Sequence, residues 1–245
     1  MKASGRPWMR DELILAINLY CKIPFGKIHI RNPEIITLAK LLGRSPGSIS
    51  YKLANFASID PSLPRKGAAN VSRLDRDVWN EFFENWNGMS YESEHILCEI
   101  RGQQIDSEVD LEIPKGTTRE SLVKARVNQN FFRSVVLASY DNACCVTGLP
   151  VTELLVASHI IPWSKDENNR TNPRNGLCLN SLHDRAFDIG FVTIDEDYKV
   201  KLSSRIKTVN AKALVAYEGV SIRLPKRFLP QQEFLAFHRQ NIFKP

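Results

Sequence analysis

The stretch between Cys144 and Gly190 constrains the fold of this chain more than any other part of the sequence. Its first apolar run, Leu154-Leu155-Val156-Ala157, predicts a short strand, and Pro162 stops that strand soon afterwards. His159 therefore lies at the end of a predicted strand. The next ten residues, 164–173, are rich in Lys, Asp, Asn and Arg, which predicts an exposed loop.

A turn, a second strand and a helix follow this loop. Asn175-Gly176 predicts the turn, and the apolar residues 177–179 predict another short buried strand. Ser181 is predicted to cap a helix over 182–188, which carries His183. The order is thus strand, loop, strand and helix, with a histidine on the first strand and another on the helix.

This arrangement suits the hydrolysis of a phosphodiester. A neutral imidazole is the usual general base near neutral pH and also a good metal ligand. The reaction needs a base to activate water and a cation to neutralise the charge that develops on oxygen. His159 and His183 together supply both, and Asn175 between them can pin the loop through its side-chain amide. Taken one at a time, a strand-end histidine is usually structural and Asn-Gly is usually only a turn.

The ordered set of Ser-His, Asn and His strongly resembles the HNH nucleases of the ββα-metal fold. The resemblance runs from about Gln129 to Ser203 and includes Cys144-Cys145-Val146-Thr147-Gly148 before the first strand. It also includes Phe187-Asp188-Ile189-Gly190 after the helix. The resemblance implies that His159 is the general base, that Asn175 orients the loop and the base, and that His183 is a metal ligand.

One position departs from the family pattern. Many HNH sites place Asp or His just before the base as a metal ligand, whereas this chain has Ser158, which is a poor ligand unless it acts through water. Asp184 and Asp188 are nearby carboxylates, but the spacing assigns neither of them. Because phosphate oxygens and water must then fill most of the shell, we expect Mg²⁺ or Mn²⁺ rather than a closed zinc site. The chain has no Cys-x-x-Cys pair, so we do not expect a structural zinc.

Charge is unevenly distributed along the chain. The formal net charge is +6 overall, with +6 in residues 1–57, −9 in residues 75–112 and +7 in residues 113–245. Two basic regions joined by an acidic one suit a protein that contacts a polyanion twice, although ordinary solvated charge would look similar. Charge alone does not decide between these two explanations, and it is the resemblance to HNH nucleases that implies double-stranded DNA as the partner.

Three short helices are predicted before residue 60, the second capped by Asn32 and the third by Ser45. A tight turn before the third helix resembles a helix-turn-helix, although small three-helix units often bind proteins or only pack. The polar face of the third helix is predicted to reach bases and phosphates. It consists of Ser48, Ser50, Tyr51, Lys52 and Asn55.

The remaining sequence divides into a connector and a nuclease part. We predict a helix-turn-helix-like domain at 1–60, a linker and acidic helical connector at 61–112, and an HNH nuclease domain at 113–245. A helix is predicted over 118–140, where Arg126 and Arg133 can contact phosphate or brace the core. His238 in the C-terminal segment is predicted to be structural.

The expected fold class is α+β: an N-terminal helical domain, helix-turn-helix or winged-helix-like, and a C-terminal ββα-metal nuclease domain. The expected function is a metal-dependent DNA endonuclease of restriction or phage-defence type, reading a sequence or a modified base. The alternative is a DNA-binding regulator with an inactive HNH fold, which Ser158 favours. We leave open whether two copies pair to cut both strands.

The expected compartment is the cytoplasm. No apolar run approaches the roughly 18 residues of a membrane span, and no apolar stretch of signal-peptide type precedes Asp11. The five cysteines are odd in number and mostly lie in apolar surroundings, which suits reduced thiols.

Overall fold

The computed structural model describes residues 6–63, 70–103, 105, 118–208 and 211–245. The chain divides into two compact units, Met1–Phe131 and Phe132–Pro245, and each is described by itself. Residues 106–112 of the predicted acidic connector lie outside the described residues, as does part of the predicted linker. In the part that the structure describes, no helix has both the length and the apolar character to cross a bilayer.

The first unit is built from helices. The helices that begin in it are α1 Arg10–Lys22, α2 Pro33–Leu41, α3 Pro46–Ile59, α4 Arg73–Glu84, α5 Trp86–Arg101 and α6 Arg119–Ser139. Helix α1 lies at its centre, with every residue from Glu12 to Cys21 buried, and it packs against α2, α3, α4 and α5. The predicted caps of α2 and α3 are confirmed, because Asn32 accepts from the Glu34 N–H and Ser45 accepts from the Ser48 N–H.

The acidic helices α4 and α5 are part of this unit rather than a separate connector. Their carboxylates pair with basic residues of α1: Arg10 binds Glu81 and Glu92, and Lys22 binds Glu94. The predicted boundary at residue 60 therefore differs from the structure, in which the compact unit continues to residue 131. The unit has a net charge of only +2, because it contains 18 Lys and Arg residues and 16 Asp and Glu residues.

The predicted exposure of the α3 polar face is wrong at two of its five positions. Lys52 is only 6% exposed, and its ammonium group lies 2.7 and 2.9 Å from the two carboxylate oxygens of Asp75. Asn55 is 2% exposed, and its amide donates to the Asn70 carbonyl at 3.0 Å. Both side chains are turned inward because α4 and the residues before it cover this face of α3.

The other three residues of that face are accessible. Tyr51 is 50% exposed, while Ser48 and Ser50 are half-buried. The turn between α2 and α3 passes through Gly43, whose φ of +61° is a conformation that glycine adopts without strain. The arrangement of α2, turn and α3 therefore matches the predicted order of elements, and a role in DNA binding remains a prediction.

The second unit mixes small antiparallel sheets with helices, as expected for an α+β fold. Its elements after α6 are β1 Leu155–His159, β2 Gly176–Asn180, α7 Ser181–Asp188, β3 Val192–Ile194, β4 Val200–Leu202, α8 Ser204–Lys207, α9 Lys212–Val215 and α10 Gln232–Asn241. Strand β1 pairs with β2, and β3 pairs with β4. Helix α7 packs against β1, β2 and β3, so the predicted strand, loop, strand and helix form one local structure.

Two details fix where α7 begins and ends. Its N-cap is Asn180, whose side chain accepts from the His183 N–H, so the predicted Ser181 cap is wrong by one residue. The helix ends before Gly190, which has a φ of +80°. A Cβ atom at this glycine would lie 2.0 Å from the Ile242 carbonyl oxygen, so no larger residue fits there without moving the backbone.

Candidate active site

His159 lies at the end of β1, where its ring is held by aromatic contacts. It stacks on Phe132 of α6 with a centroid separation of 3.8 Å and an interplanar angle of 12°. The ring also meets Trp163 edge-on at 5.6 Å. Its partner across the β1–β2 pair is Gly176, where a Cβ atom would lie 2.9 Å from the Phe132 ring. The glycine therefore leaves space for the ring on which His159 stacks.

The hydrogen bonding of His159 determines which of its nitrogens can act as a base. Nε2 lies 2.9 Å from the Arg170 carbonyl oxygen. A carbonyl oxygen only accepts, so Nε2 carries the hydrogen and Nδ1 keeps its lone pair. Burial lowers the pKa of this imidazole, and the Arg170 carbonyl only partly offsets that effect. His159 is therefore a neutral imidazole with Nδ1 available at neutral pH.

Asn175 fastens both ends of the loop between β1 and β2. It is 1% exposed, and its side-chain oxygen accepts from the Ile161 N–H at 2.8 Å. Its amide donates to the carbonyls of Ile161 at 3.1 Å and Asn169 at 3.3 Å. The residue therefore holds the chain just beyond His159, which is the loop contact that the sequence suggested.

His183 is oriented in a similar way, but its free nitrogen is buried. The Asn180 side-chain oxygen accepts from the His183 backbone N–H and lies 3.0 Å from Nδ1. Because that oxygen only accepts, Nδ1 carries the hydrogen and Nε2 keeps its lone pair. Nε2 is buried without a hydrogen-bond partner, and the ring meets Tyr217 edge-on at 5.3 Å. Burial lowers the pKa of His183, so it too is neutral at neutral pH.

Ser158 and Asp184 lie together between β1 and α7. Successive strand residues point to opposite faces, so Ser158 points away from the side on which His159 stacks on Phe132. The Ser158 hydroxyl is buried and forms no hydrogen bond of normal geometry, but it lies close enough to Asp184 to lower the pKa of that carboxyl group. Burial has the larger, opposite effect, and the net pKa of Asp184 is raised.

The predicted metal ligands do not form a complete shell. Among the described residues, no three His, Cys, Asp or Glu side chains converge so that they could hold a metal ion. His183 Nε2 nevertheless fits a cation, since it is an unprotonated buried nitrogen without a partner. Ser158 offers only a hydroxyl, which is a weak ligand. These groups fit a cation that takes most of its ligands from phosphate and water.

The two predicted basic residues of α6 have different roles. Arg133 donates to the carbonyl oxygens of Leu155 at 2.7 Å and Thr152 at 3.3 Å. Of the two uses predicted for it, the contacts correspond to bracing the start of β1, and its guanidinium is engaged there rather than free for phosphate. Arg126 is exposed.

Sequence reasoning missed the groups that orient the two histidines. Arg170 acts through its backbone carbonyl, for which side-chain patterns give no signal. Asn180 could have been found, because Asn is a favoured N-cap residue and stands three positions before His183. His238, which was expected to be structural, accepts from the Thr193 hydroxyl and donates to the Phe187 carbonyl, so both of its nitrogens are engaged.

Comparison with known proteins identifies the same segment. No curated protein sequence matches the chain. Residues 144–195, about a fifth of the chain, match the family model described as HNH endonuclease. This range contains β1, β2 and α7 with His159, Asn175 and His183. The segment that carries the candidate site is therefore similar to HNH endonuclease domains, and this similarity supports a nuclease activity.

Proposed function

We propose that this protein is a divalent-metal-dependent DNA endonuclease of restriction or phage-defence type, with His159 as the general base. The observation that carries the proposal is the state of His159 within the matched segment. Its Nε2–H donates to the Arg170 carbonyl, and Nδ1 keeps its lone pair. Burial lowers the pKa of the ring, so the ring is neutral. A neutral, oriented imidazole is the group that a water-activating step requires.

In the proposed reaction, His159 Nδ1 takes a proton from water as the water oxygen bonds to phosphorus. The bond from phosphorus to the 3′ oxygen breaks, and that oxygen takes a proton from solvent. The products are a 5′-phosphate and a 3′-hydroxyl, as in the family that the segment resembles. Phe132 and the Arg170 carbonyl fix the ring, and Asn175 holds the loop so that Nδ1 keeps one direction.

His183 is the proposed metal ligand. Its Nδ1–H is held by Asn180, which leaves Nε2 to bind a cation. A divalent cation such as Mg²⁺ or Mn²⁺ would stabilise the negative charge that develops on the phosphoryl and 3′ oxygens. Ser158 contributes at most through water.

The proposed substrate is double-stranded DNA, and the first unit is proposed to help select the site. Of the five residues predicted on the polar face of α3, Ser48, Ser50 and Tyr51 remain accessible for this contact. Arg126 on α6 is an exposed cation that suits phosphate. Lys52 and Asn55 are buried, so we do not propose that they contact DNA. The target is either a sequence or a modified base, and cleavage of both strands would suit two copies acting together.

The second candidate is a DNA-binding regulator whose HNH fold is inactive. Ser158 favours it, because the residue before His159 offers no carboxylate or imidazole. The two functions differ in one measurable property, which is the cutting of DNA.

Nicking of supercoiled plasmid by the full-length protein separates them. Wild type should cut in Mg²⁺ or Mn²⁺ and not in EDTA, and His159→Ala should lower the rate by about 10²- to 10⁴-fold. The matched control is His95→Ala, which removes an exposed histidine of α5 and should cut like wild type. A His159→Ala rate equal to that of wild type would reject His159 as the base. A folded wild type that cuts no DNA, methylated or unmethylated, would favour the regulator.

A further inference from the structure

The carbonyl group that orients His159 belongs to Arg170, and the side chain of Arg170 makes specific contacts of its own. The Arg170 carbonyl oxygen lies 2.9 Å from His159 Nε2. The Nε–H of the same arginine donates to the Trp163 carbonyl at 2.9 Å. The backbone and the side chain of Arg170 therefore both bind the chain at the end of β1 and just beyond it.

The Trp163 ring contacts both of these residues. The Arg170 guanidinium lies over it, 5.1 Å from the ring centroid, which is within the range of a cation–π interaction. The His159 ring meets the same indole edge-on at 5.6 Å. Only 26% of the Arg170 side chain is exposed, and a cation–π contact is stronger where water is partly excluded. Two different contacts thus hold the Arg170 side chain on Trp163.

The chain that leaves β1 is held more firmly than the chain that returns to β2. Two residues before Trp163, the Ile161 N–H donates to the Asn175 side-chain oxygen at 2.8 Å. On the returning chain, the Asn175 amide reaches the Asn169 carbonyl at 3.3 Å, which is longer than its bonds to Ile161. The Arg170 side chain adds a direct bond from the returning chain to the chain that leaves β1.

Two other contacts in this loop are local. Arg170 also pairs with Glu167 at 3.0 Å, but that carboxylate is 79% exposed, so the pair contributes little. Asp166 accepts from the backbone and side-chain N–H groups of Asn169 at 3.2 and 2.7 Å. This carboxylate shapes the loop before Arg170, whereas the bond from Arg170 to Trp163 joins the two sides of the loop.

We infer that Arg170 is a positioning residue for the general base and that it acts through its side chain. The guanidinium holds residue 170 against Trp163, and this places the Arg170 carbonyl where it accepts from His159 Nε2. The ring hydrogen then stays on Nε2, and Nδ1 keeps the lone pair that a base needs. This inference rests on the proposed function, in which His159 is the base.

The rival role for Arg170 is a direct contact with DNA phosphate. A guanidinium has five N–H donors in a planar fork that matches phosphate oxygens. The two roles change different quantities. A phosphate contact contributes to DNA affinity and to its salt dependence. A positioning contact changes the state of the His159 ring and the rate at which bound DNA is cut.

The first test observes the His159 ring in the full-length protein without DNA. Long-range proton–nitrogen NMR correlations distinguish a hydrogen on Nε2 from one on Nδ1, and the loss of peaks in His159→Ala assigns them. At neutral pH, wild type should show the Nε2–H form, and Arg170→Ala should show a mixture of both tautomers. Lys165→Ala is the matched control, because it removes an exposed cation of the same loop and should match wild type.

The second test is single-turnover cleavage at a protein concentration that saturates the DNA. Arg170→Ala should lower the rate by about 10- to 100-fold and leave the dissociation constant for DNA unchanged. Arg170→Lys keeps the charge but places its nitrogen one bond beyond the position of Nε, so it should also lower the rate. Adding Arg170→Ala to His159→Ala should leave the residual rate unchanged, because an effect that acts through His159 disappears with it. Circular dichroism shows whether each variant is folded.

The outcomes separate this inference from the proposed function. If Arg170→Ala keeps the wild-type tautomer and rate, its side chain does not position the base, and the nuclease proposal stands. If Arg170→Ala instead weakens DNA binding and flattens the salt slope by about one unit, and Arg170→Lys restores both, Arg170 contacts phosphate and the inference is wrong. A further fall in rate when Arg170→Ala is added to His159→Ala would also overturn it. If wild type cuts no DNA, the proposed function fails, and the NMR comparison still decides whether Arg170 positions His159.

Discussion

Both units bury polar side chains, but these side chains find their ion-pair and hydrogen-bond partners in different ways. In the first unit, the Lys52 ammonium lies between the two carboxylate oxygens of Asp75. In the second unit, His159 and His183 each use one nitrogen to hold the ring and keep a lone pair on the other. An ammonium group that is fully engaged in an ion pair has a structural role. An oriented imidazole that keeps a lone pair can instead act on a substrate or bind a cation.

This difference also shows that polarity on a helix face is weak evidence for a binding surface. Lys52, Asn55 and Tyr51 have similar positions in the sequence pattern of α3, yet only Tyr51 remains exposed. Helix α4 makes the difference, because its N-terminal capping box, formed by Ser72 and Asp75, places the Asp75 carboxylate against the Lys52 ammonium group. Predictions for variants of both regions test this comparison.

The largest expected loss of stability is for Lys52→Ala. It removes the partner of a fully buried carboxylate, Asp75, and should lower the free energy of unfolding by about 3–5 kcal/mol. Urea denaturation followed by circular dichroism measures this, with Lys40→Ala on the exposed side of α2 as the control. An unchanged unfolding free energy, together with a weaker salt dependence of DNA binding, would indicate instead that Lys52 contacts DNA.

A smaller loss is expected for Asn175→Ala in the second unit. The change leaves the buried Ile161 N–H without its acceptor, at a cost of about 1–3 kcal/mol. Because the same loop follows His159, plasmid cleavage should also fall. Asn168→Ala is the matched control, since Asn168 is an exposed asparagine of the same loop. Equal stability and cleavage rates for the two variants would show that Asn175 does not brace the loop.

The smallest effect is expected for Arg126→Ala. If this exposed residue contacts one phosphate, the slope of log K against log salt should become less steep by about one unit. Arg133→Ala is the comparison, because its guanidinium binds two backbone carbonyls and its loss should change stability rather than the slope. A slope change for Arg133→Ala but not for Arg126→Ala would show instead that Arg133 contacts phosphate and Arg126 does not.

The order of elements could be predicted from the sequence, whereas several partners could not. Helix starts carry local signals, so the sequence correctly predicts the caps Asn32 and Ser45. The predicted α7 cap, Ser181, lies one residue after the observed cap, because Asn180 and Ser181 are both good caps and the choice depends on the end of β2. The Lys52–Asp75 pair joins residues 23 positions apart, and neither helical periodicity nor charge counting links residues at that distance.

The sequence predicts the residues of the candidate site, whose roles stay predictions, but it does not predict their hydrogen bonding. His159, Asn175 and His183 stand out because Ser-His, Asn and His follow one another in the order that resembles the HNH nucleases. Which nitrogen of His159 is free depends on the Arg170 carbonyl, and a backbone group leaves no trace in a sequence pattern. The relation between Ser158 and Asp184 likewise depends on how α7 packs on β1.

The most direct test of His159 as the base is the pH dependence of single-turnover DNA cleavage. Burial lowers the pKa of His159 below its ordinary value of 6.5, and only the neutral form accepts a proton. The wild-type rate should therefore rise with pH through a midpoint below 6.5 and then level off, and His159→Ala should remove this rise along with most of the rate. A midpoint at or above 6.5, or the same rise in His159→Ala, would contradict the assignment.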